Sequence, residues 1–169
     1  MRRFALLLFF LPALTLGGCA YRLGPTNGER AGARSVEIAP LDNKTVVPRL
    51  TEAVTHALRE EMLRDGTYRV DTQGDSDIIV AGAIIHFDRR TIALQSRDAL
   101  SPRDYRLIIT AHITARERVG GKILLDRNVQ GHSDIRIGPD LASAEREAMP
   151  LVAADLARNA TALLVDGSW

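Results

Sequence analysis

Arginine is the residue type whose placement in this sequence first suggests chemistry. The chain of 169 residues carries 20 Arg and only 2 Lys. Between residues 89 and 127 there are nine basic residues and four acidic ones, although the formal net charge of the whole chain is +1. A guanidinium presents a planar fork of donors that matches phosphate or carboxylate oxygens two at a time. A block of them therefore predicts a surface for a polyanion. The candidate ligand residues are Arg89, Arg90, Arg103, Arg106, Arg116, Arg118 and Lys122. The competing reading is a solvated basic edge that keeps a sheet from pairing with other chains.

Catalytic patterns are scarce. The chain has no Gly-rich phosphate loop, no HExxH and no GxSxG. Three of its four histidines, His86, His112 and His132, fall on successive predicted strands and can line one face. Three imidazoles can hold zinc, but none of these has a second ligand at tight local spacing. His86 and Asp88 form the kind of acid–base pair that any strand offers. The reading is no enzyme, no metal and no cofactor.

Cys19 is the one cysteine in the sequence, so no intramolecular disulfide forms. Its position gives it a role. "MRR" opens the chain, and "FALLLFFLPALTL", Phe4 to Leu16, is an apolar run too short for the roughly 20 residues of a membrane span. This is the shape of a secretory signal peptide. "LGGC", Leu16 to Cys19, then resembles a bacterial lipobox, whose cysteine thiol is acylated and becomes the new N-terminus. The expected division is a cleaved signal peptide at 1–18, a lipidated tether at 19–35 and a single domain at 36–169. Two or more acyl chains, palmitate among them, hold a protein firmly where one binds reversibly. Ala20 favours the outer membrane, because lipoproteins kept in the inner membrane often carry Asp there. An exported lipoprotein does not usefully meet nucleic acid. The dense phosphorylated ligand it does meet is the lipid A region of lipopolysaccharide.

The elements that must position the arginines follow from periodicity. "VEIAPL", 36–41, reads as a first strand. From Arg49 to Asp65, apolar Leu50, Val54, Ala57, Leu58 and Met62 form a helical stripe, with Gly66 as its stop. "TYRVD", 67–71, is a short strand. Three longer strands span 77–90, 103–118 and 122–133, with 91–102 as a long polar loop and "VGGK" as a tight hairpin turn. In the middle strand Tyr105, Leu107, Ile109, Ala111, Ile113 and Ala115 alternate with polar neighbours, so one face is buried and one is wet. A closing helix covers 141–165, with Pro150 expected to kink it or delay its start. The order β-α-β-β-β-β-α predicts an α+β two-layer sandwich, two helices packed on one face of a mainly antiparallel sheet of four to five strands.

Five stretches together resemble one family. They are "GCAYRL" (18–23), "VEIAPLDNKTVVPRLTEAVTHALREEML" (36–63), "DIIVAGAII" (77–85), "RLIITAHITARERVGGKILLDRNVQG" (106–131) and "EREAMPLVAADLARNATALLVDGSW" (145–169). Their order and spacing resemble the LPS-assembly lipoprotein family LptE. The resemblance implies an outer-membrane lipoprotein, lipid-anchored on the periplasmic side, that plugs and helps assemble the LptD β-barrel. It also implies a part in lipopolysaccharide transport to the outer leaflet, with direct binding of lipopolysaccharide. Parts of the same pattern also resemble exported adaptor lipoproteins that bind a peptidoglycan synthase or a secretion-channel subunit.

Overall fold

The computed structural model describes residues 30–95, 98–136 and 140–166, with side chains outside 94–103. Six strands form one sheet: β1 (Ser35–Ile38), β2 (Asp42–Asn43), β3 (Arg69–Val70), β4 (Ile78–Gln95), β5 (Asp98–Glu117) and β6 (Ile123–Arg136). Two helices, α1 (Leu50–Asp65) and α2 (Leu141–Asp166), cover one of its faces. The two-layer α+β architecture is as expected, but the sheet is mixed and larger. Its order is β3-β1-β4-β5-β6, with β2 also on β4. The pairings of β1 with β3 and β4, and of β2 with β4, are parallel; only β4-β5-β6 is antiparallel. Strands of two residues carry no alternation to read, which is why the sequence does not announce β2.

The larger correction concerns residues 91–102. The expected polar loop is strand, because β4 and β5 pair from Ile78↔Glu117 out to Gln95↔Asp98. Register shifts at Ile84/His86, Thr91/Ala93, Ala93/Leu94 and Leu94/Gln95 break the period-two pattern and hide the strand from periodicity. The first shift has a directional effect. Ile84 opposes Ala111 and His86 opposes Thr110, so Ile85 is the extra residue. Below it, Ile78, Val80 and Ile84 point to the helices; above it, Phe87 and Arg89 share that face, opposite Ile109 and Leu107.

The core lies between sheet and helices. Leu107, Ile109, Ala111, Ile113 and Ala115 of β5 are all buried, against Leu50, Val54, Leu58 and Met62 of α1 and Val152, Leu156, Ala160 and Leu164 of α2. Each fully buried Leu, Ile or Val contributes about 1.5–3 kcal/mol. α1 starts after Pro48 with Arg49 in the left-handed region, φ 64°, and stops at Gly66, whose amide reaches the Met62 carbonyl at 3.1 Å. α2 is capped by Asp140, whose carboxylate accepts from the Ala142 and Ser143 amides at 3.1 and 3.0 Å. It then runs unbroken through Pro150, which lies on its exposed side. By length and composition α2 would suffice to cross a membrane, but half of its apolar window is buried in the domain.

α2 lies over Gly131 of β6. A Cβ there would meet the Leu156 amide nitrogen at 2.3 Å and the Val152 carbonyl oxygen at 2.5 Å. The absent side chain is what lets helix and strand approach. α2 also closes the outer edge of β6: Asp155 accepts the His132 amide at 2.9 Å, and Asn159 donates to the Gln130 carbonyl at 2.8 Å. Unpaired edge backbone is thereby taken out of circulation.

Candidate functional site

The helix-free face of β4-β5-β6 carries most of the polar side chains that alternation places opposite the core. Its residues come in cross-strand pairs: Arg90↔Arg106, Arg106↔Asp134, Asp104↔Arg136, His86↔Thr110 and Ile108↔His132. The seven candidate cations do not form one cluster. Arg106 and Arg116 lie ten residues apart on one strand, a separation of roughly 33 Å at strand rise. The strand topology divides the set between the two ends of the sheet.

At the distal end, Arg89 is turned to the helix side by the shift at Ile85. Its Nε lies 3.1 Å from Glu145 Oε1 of α2, an ion pair whose geometry forms no hydrogen bond. Arg90 and Arg106 are neighbours on the helix-free face. Arg106 grips Asp134 with two donors, at 2.6 and 2.9 Å. These hydrogen bonds hold the Asp134 carboxyl below the usual aspartate range and raise the Arg106 value in turn. Arg136 pairs with Asp104 at 3.1 Å. Arg90 has no ion-pair partner among the described residues. Arg103 lies on β5, with its side chain outside the described set, and Arg97 lies wholly outside it, as does Cys19.

At the proximal end Arg34 and Arg118 are used as ties. Arg118 donates from Nε to the Ser76 carbonyl at 2.7 Å and from its terminal nitrogen to Glu37 at 2.5 Å. Arg34 reaches Glu117 at 2.9 Å across three strands. Asp77 accepts from the amide and the hydroxyl of Ser35, at 2.7 and 2.8 Å. Those two bonds hold its carboxyl below the usual range against a smaller opposing effect of burial. Arg116 and Lys122 are exposed and without ion-pair partners among the described residues.

The three strand histidines share the wet face but not a site. His112 lies 2.9 Å from Asn128 and 3.0 Å from Asp126. His132 lies 3.1 Å from Asp155. Burial pushes the Asp155 carboxyl up, but the His132 amide, Arg158 and the neighbouring charges together hold it below the usual range. Among the described residues no three His, Cys, Asp or Glu groups converge as metal ligands.

A shallow hollow of about 350 Å³ opens on the distal part of this face, lined by Arg90, Thr91, Ile92, Arg106, Ile108, Gln130 and His132. It combines guanidinium groups with two aliphatic side chains, one of which, Ile92, is 46% exposed. Sequence reasoning missed Thr91, Ile92, Ile108, Gln130 and His132 as lining residues. Ile108 was legible as an apolar residue in a polar phase of β5, whereas Ile92 fell in the expected loop.

The domain is similar in fold to several solved structures. Protein XCC0632 from Xanthomonas campestris matches with TM-score 0.62 and 9% identity, over 86% of this chain and 91% of that one. The hypothetical protein CT253 from Chlamydia trachomatis matches with TM-score 0.55 and 8% identity, over 77% and 95%. A PelC dodecamer subunit from Paraburkholderia phytofirmans matches with TM-score 0.52 and 12% identity, over 80% and 93%. At these identities the likeness is one of fold. No curated protein sequence matches this chain. A family model does: LptE, described as lipopolysaccharide-assembly, matches residues 33–166.

Proposed function

The chain belongs to the LptE family, and from that premise we propose that it is an outer-membrane lipoprotein, anchored by acyl chains on Cys19, that sits in an LptD-type β-barrel and binds lipopolysaccharide. Its work is recognition and assembly rather than bond making. The observation that carries the ligand reading is the hollow on the helix-free face, where Arg90 is available and Ile92 and Ile108 supply an aliphatic floor. Lipid A has the same two chemistries, phosphate beside acyl chain. A fork of donors serves the first, and removal of apolar surface from water serves the second. Arg106 is already committed to Asp134, so it orients the site and shares its charge, while Arg90 makes the new contact.

The ligand reading is tested by Arg90→Ser combined with Arg106→Ser. Binding of purified lipopolysaccharide should weaken at least several-fold and lose part of its salt dependence. Unchanged affinity at both low and high salt would return the face to the solvated-edge reading. The partner reading is tested by a pull-down from membranes through a tag at Trp169. An outer-membrane β-barrel at equal stoichiometry is expected. A peptidoglycan synthase or a secretion-channel subunit in its place would make the protein an adaptor.

A further inference from the structure

The β5–β6 turn is the most exposed apolar feature at the proximal end. Val119 is 86% exposed and Ile123 is 61% exposed, with the exposed Lys122 next to Ile123 in the chain. Gly120 and Gly121 take φ of 84° and 67°, so the turn is tight. It is also braced. The Glu117 amide bonds the Lys122 carbonyl at 2.8 Å, and the Arg118 amide bonds the Asp77 carbonyl at 2.8 Å. With the Arg118 side chain on Ser76 and Glu37, the tip is held out from the body on a fixed base. Two bare aliphatic side chains on a braced turn are not explained by the core.

The chain enters the domain beside this tip. The Gly32 amide bonds the Thr67 carbonyl, Arg34 bonds Glu117, and Val119 lines a hollow together with Ala33, Arg34, Asp77 and Glu117. Ten residues lie between Cys19 and Arg30, eleven steps that span at most about 40 Å when fully extended. β5 alone has 20 residues, roughly 66 Å at strand rise. A lipid at Cys19 therefore joins the bilayer to the proximal end, while the hollow at Arg106 lies roughly 33 Å along β5 from Arg116.

We infer that the β5–β6 tip, Val119 and Ile123 with Lys122, rests in the headgroup region of the bilayer that holds the anchor. This inference depends on the acylation of Cys19 proposed above. Aliphatic side chains beside an amine match such an interface: the apolar groups enter the acyl boundary and the amine stays with phosphate. The contact fixes the orientation of the domain, where the tether alone would leave it free to tumble.

The test uses the acylated full-length protein carrying Val119→Cys. Acylation consumes the Cys19 sulfur in a thioether, so position 119 holds the one reactive thiol. It is labelled with a polarity-sensitive fluorophore and reconstituted in phosphatidylethanolamine–phosphatidylglycerol vesicles. The same label at Val46→Cys, a fully exposed position on the β2–α1 connection, is the reference. The expected result is blue-shifted emission at 119 and several-fold stronger quenching by shallow nitroxide lipids than at 46. Adding Ile123→Asp to the labelled chain should return the emission toward that of the reference. An acylated protein, verified by mass, whose label at 119 is as wet as at 46 overturns the tip contact alone. A chain without acyl mass on Cys19 overturns the anchor and the tip contact with it.

Discussion

Arg118 and Arg90, at the two ends of the sheet, show the same residue type used in opposite ways. At the proximal end Arg34 and Arg118 are bound into the fold by Glu117, Glu37 and the Ser76 carbonyl. At the distal end Arg90 meets no ion-pair partner among the described residues, and Arg106 keeps its Asp134 on an open face. The proximal sheet is bordered by β1, β2 and β3, while β4 beyond Ile84 has no second strand partner among the described residues. The lesson is that a block of arginines in sequence is not one surface. Where neighbouring strands supply carboxylates and carbonyls, as they do to Arg34 and Arg118, arginine is cohesive; Arg90, where the hairpin runs past them, stays available for a ligand.

The hardest way to break this division is to remove the support both ends share. Gly131→Val should push α2 off β6, because its Cβ has no room against the backbone of α2. Overpacking of this kind costs about 1–3 kcal/mol where neighbours can yield, and more where the obstacle is backbone. A thermal melt followed by circular dichroism should drop by about 10 °C or fail to show a cooperative transition. A melt within a few degrees of the parent would mean that α2 does not need that close approach.

A direct comparison of the two ends comes next. Arg118→Ala should destabilise the domain by about 1–2 kcal/mol, since it strands the Ser76 carbonyl and the Glu37 carboxylate. Arg90→Ala should stay within about 0.5 kcal/mol of the parent in denaturant titrations, as surface changes do, while lowering lipopolysaccharide affinity. Equal stability losses in the two variants would erase the distinction between tied and available arginines.

The third prediction concerns pH. Asp77 titrates below the ordinary aspartate value of about 3.9, because Ser35 donates two hydrogen bonds to its charged form. A lowered carboxyl adds stability that is complete above the unfolded value and lost as pH falls through the folded one. Asp77→Asn should therefore flatten the fall in stability below about pH 4, measured by urea midpoints across that range. Asp134 is lowered too, but by Arg106 at the open end. Arg106→Ser should raise the Asp134 carboxyl, seen by NMR titration, without moving Asp77. The smallest effect is a gain: Arg49→Gly should relieve the left-handed φ of 64° and stabilise the domain by up to about 1 kcal/mol.

Much of the fold was legible because β5 alternates cleanly and both helices carry unmistakable stripes. Leu107 through Ala115 and Val152 through Leu164 point inward as their spacing says. The distal hairpin was not legible, since four register shifts scramble the period over Ile84–Gln95. The site was legible in its residue type and only partly in its membership. Counting charges from 89 to 127 leaves out Asp134 and Arg136, which strand pairing brings beside Arg106 and Asp104. It also groups Arg89 with the candidate ligand residues, although it points toward Glu145. Pairing across strands is set by hydrogen-bond register, which no single-strand periodicity reports.

The extra residue at Ile85 acts as a change of phase in a code of period two. Everything on β4 beyond it is read with inside and outside exchanged, while everything before it is unaffected. A lineage that lost this one residue would return β4 to simple alternation with every partner kept, Arg89 still opposite Leu107 and Arg90 still opposite Arg106. The distal surface is thus buffered against that deletion, because the facing of each side chain follows its strand partner and not the count of residues before it. Counted by residue along the strand, a family member without it would read as swapping which arginine meets the solvent; aligned by strand partner, it would show no swap.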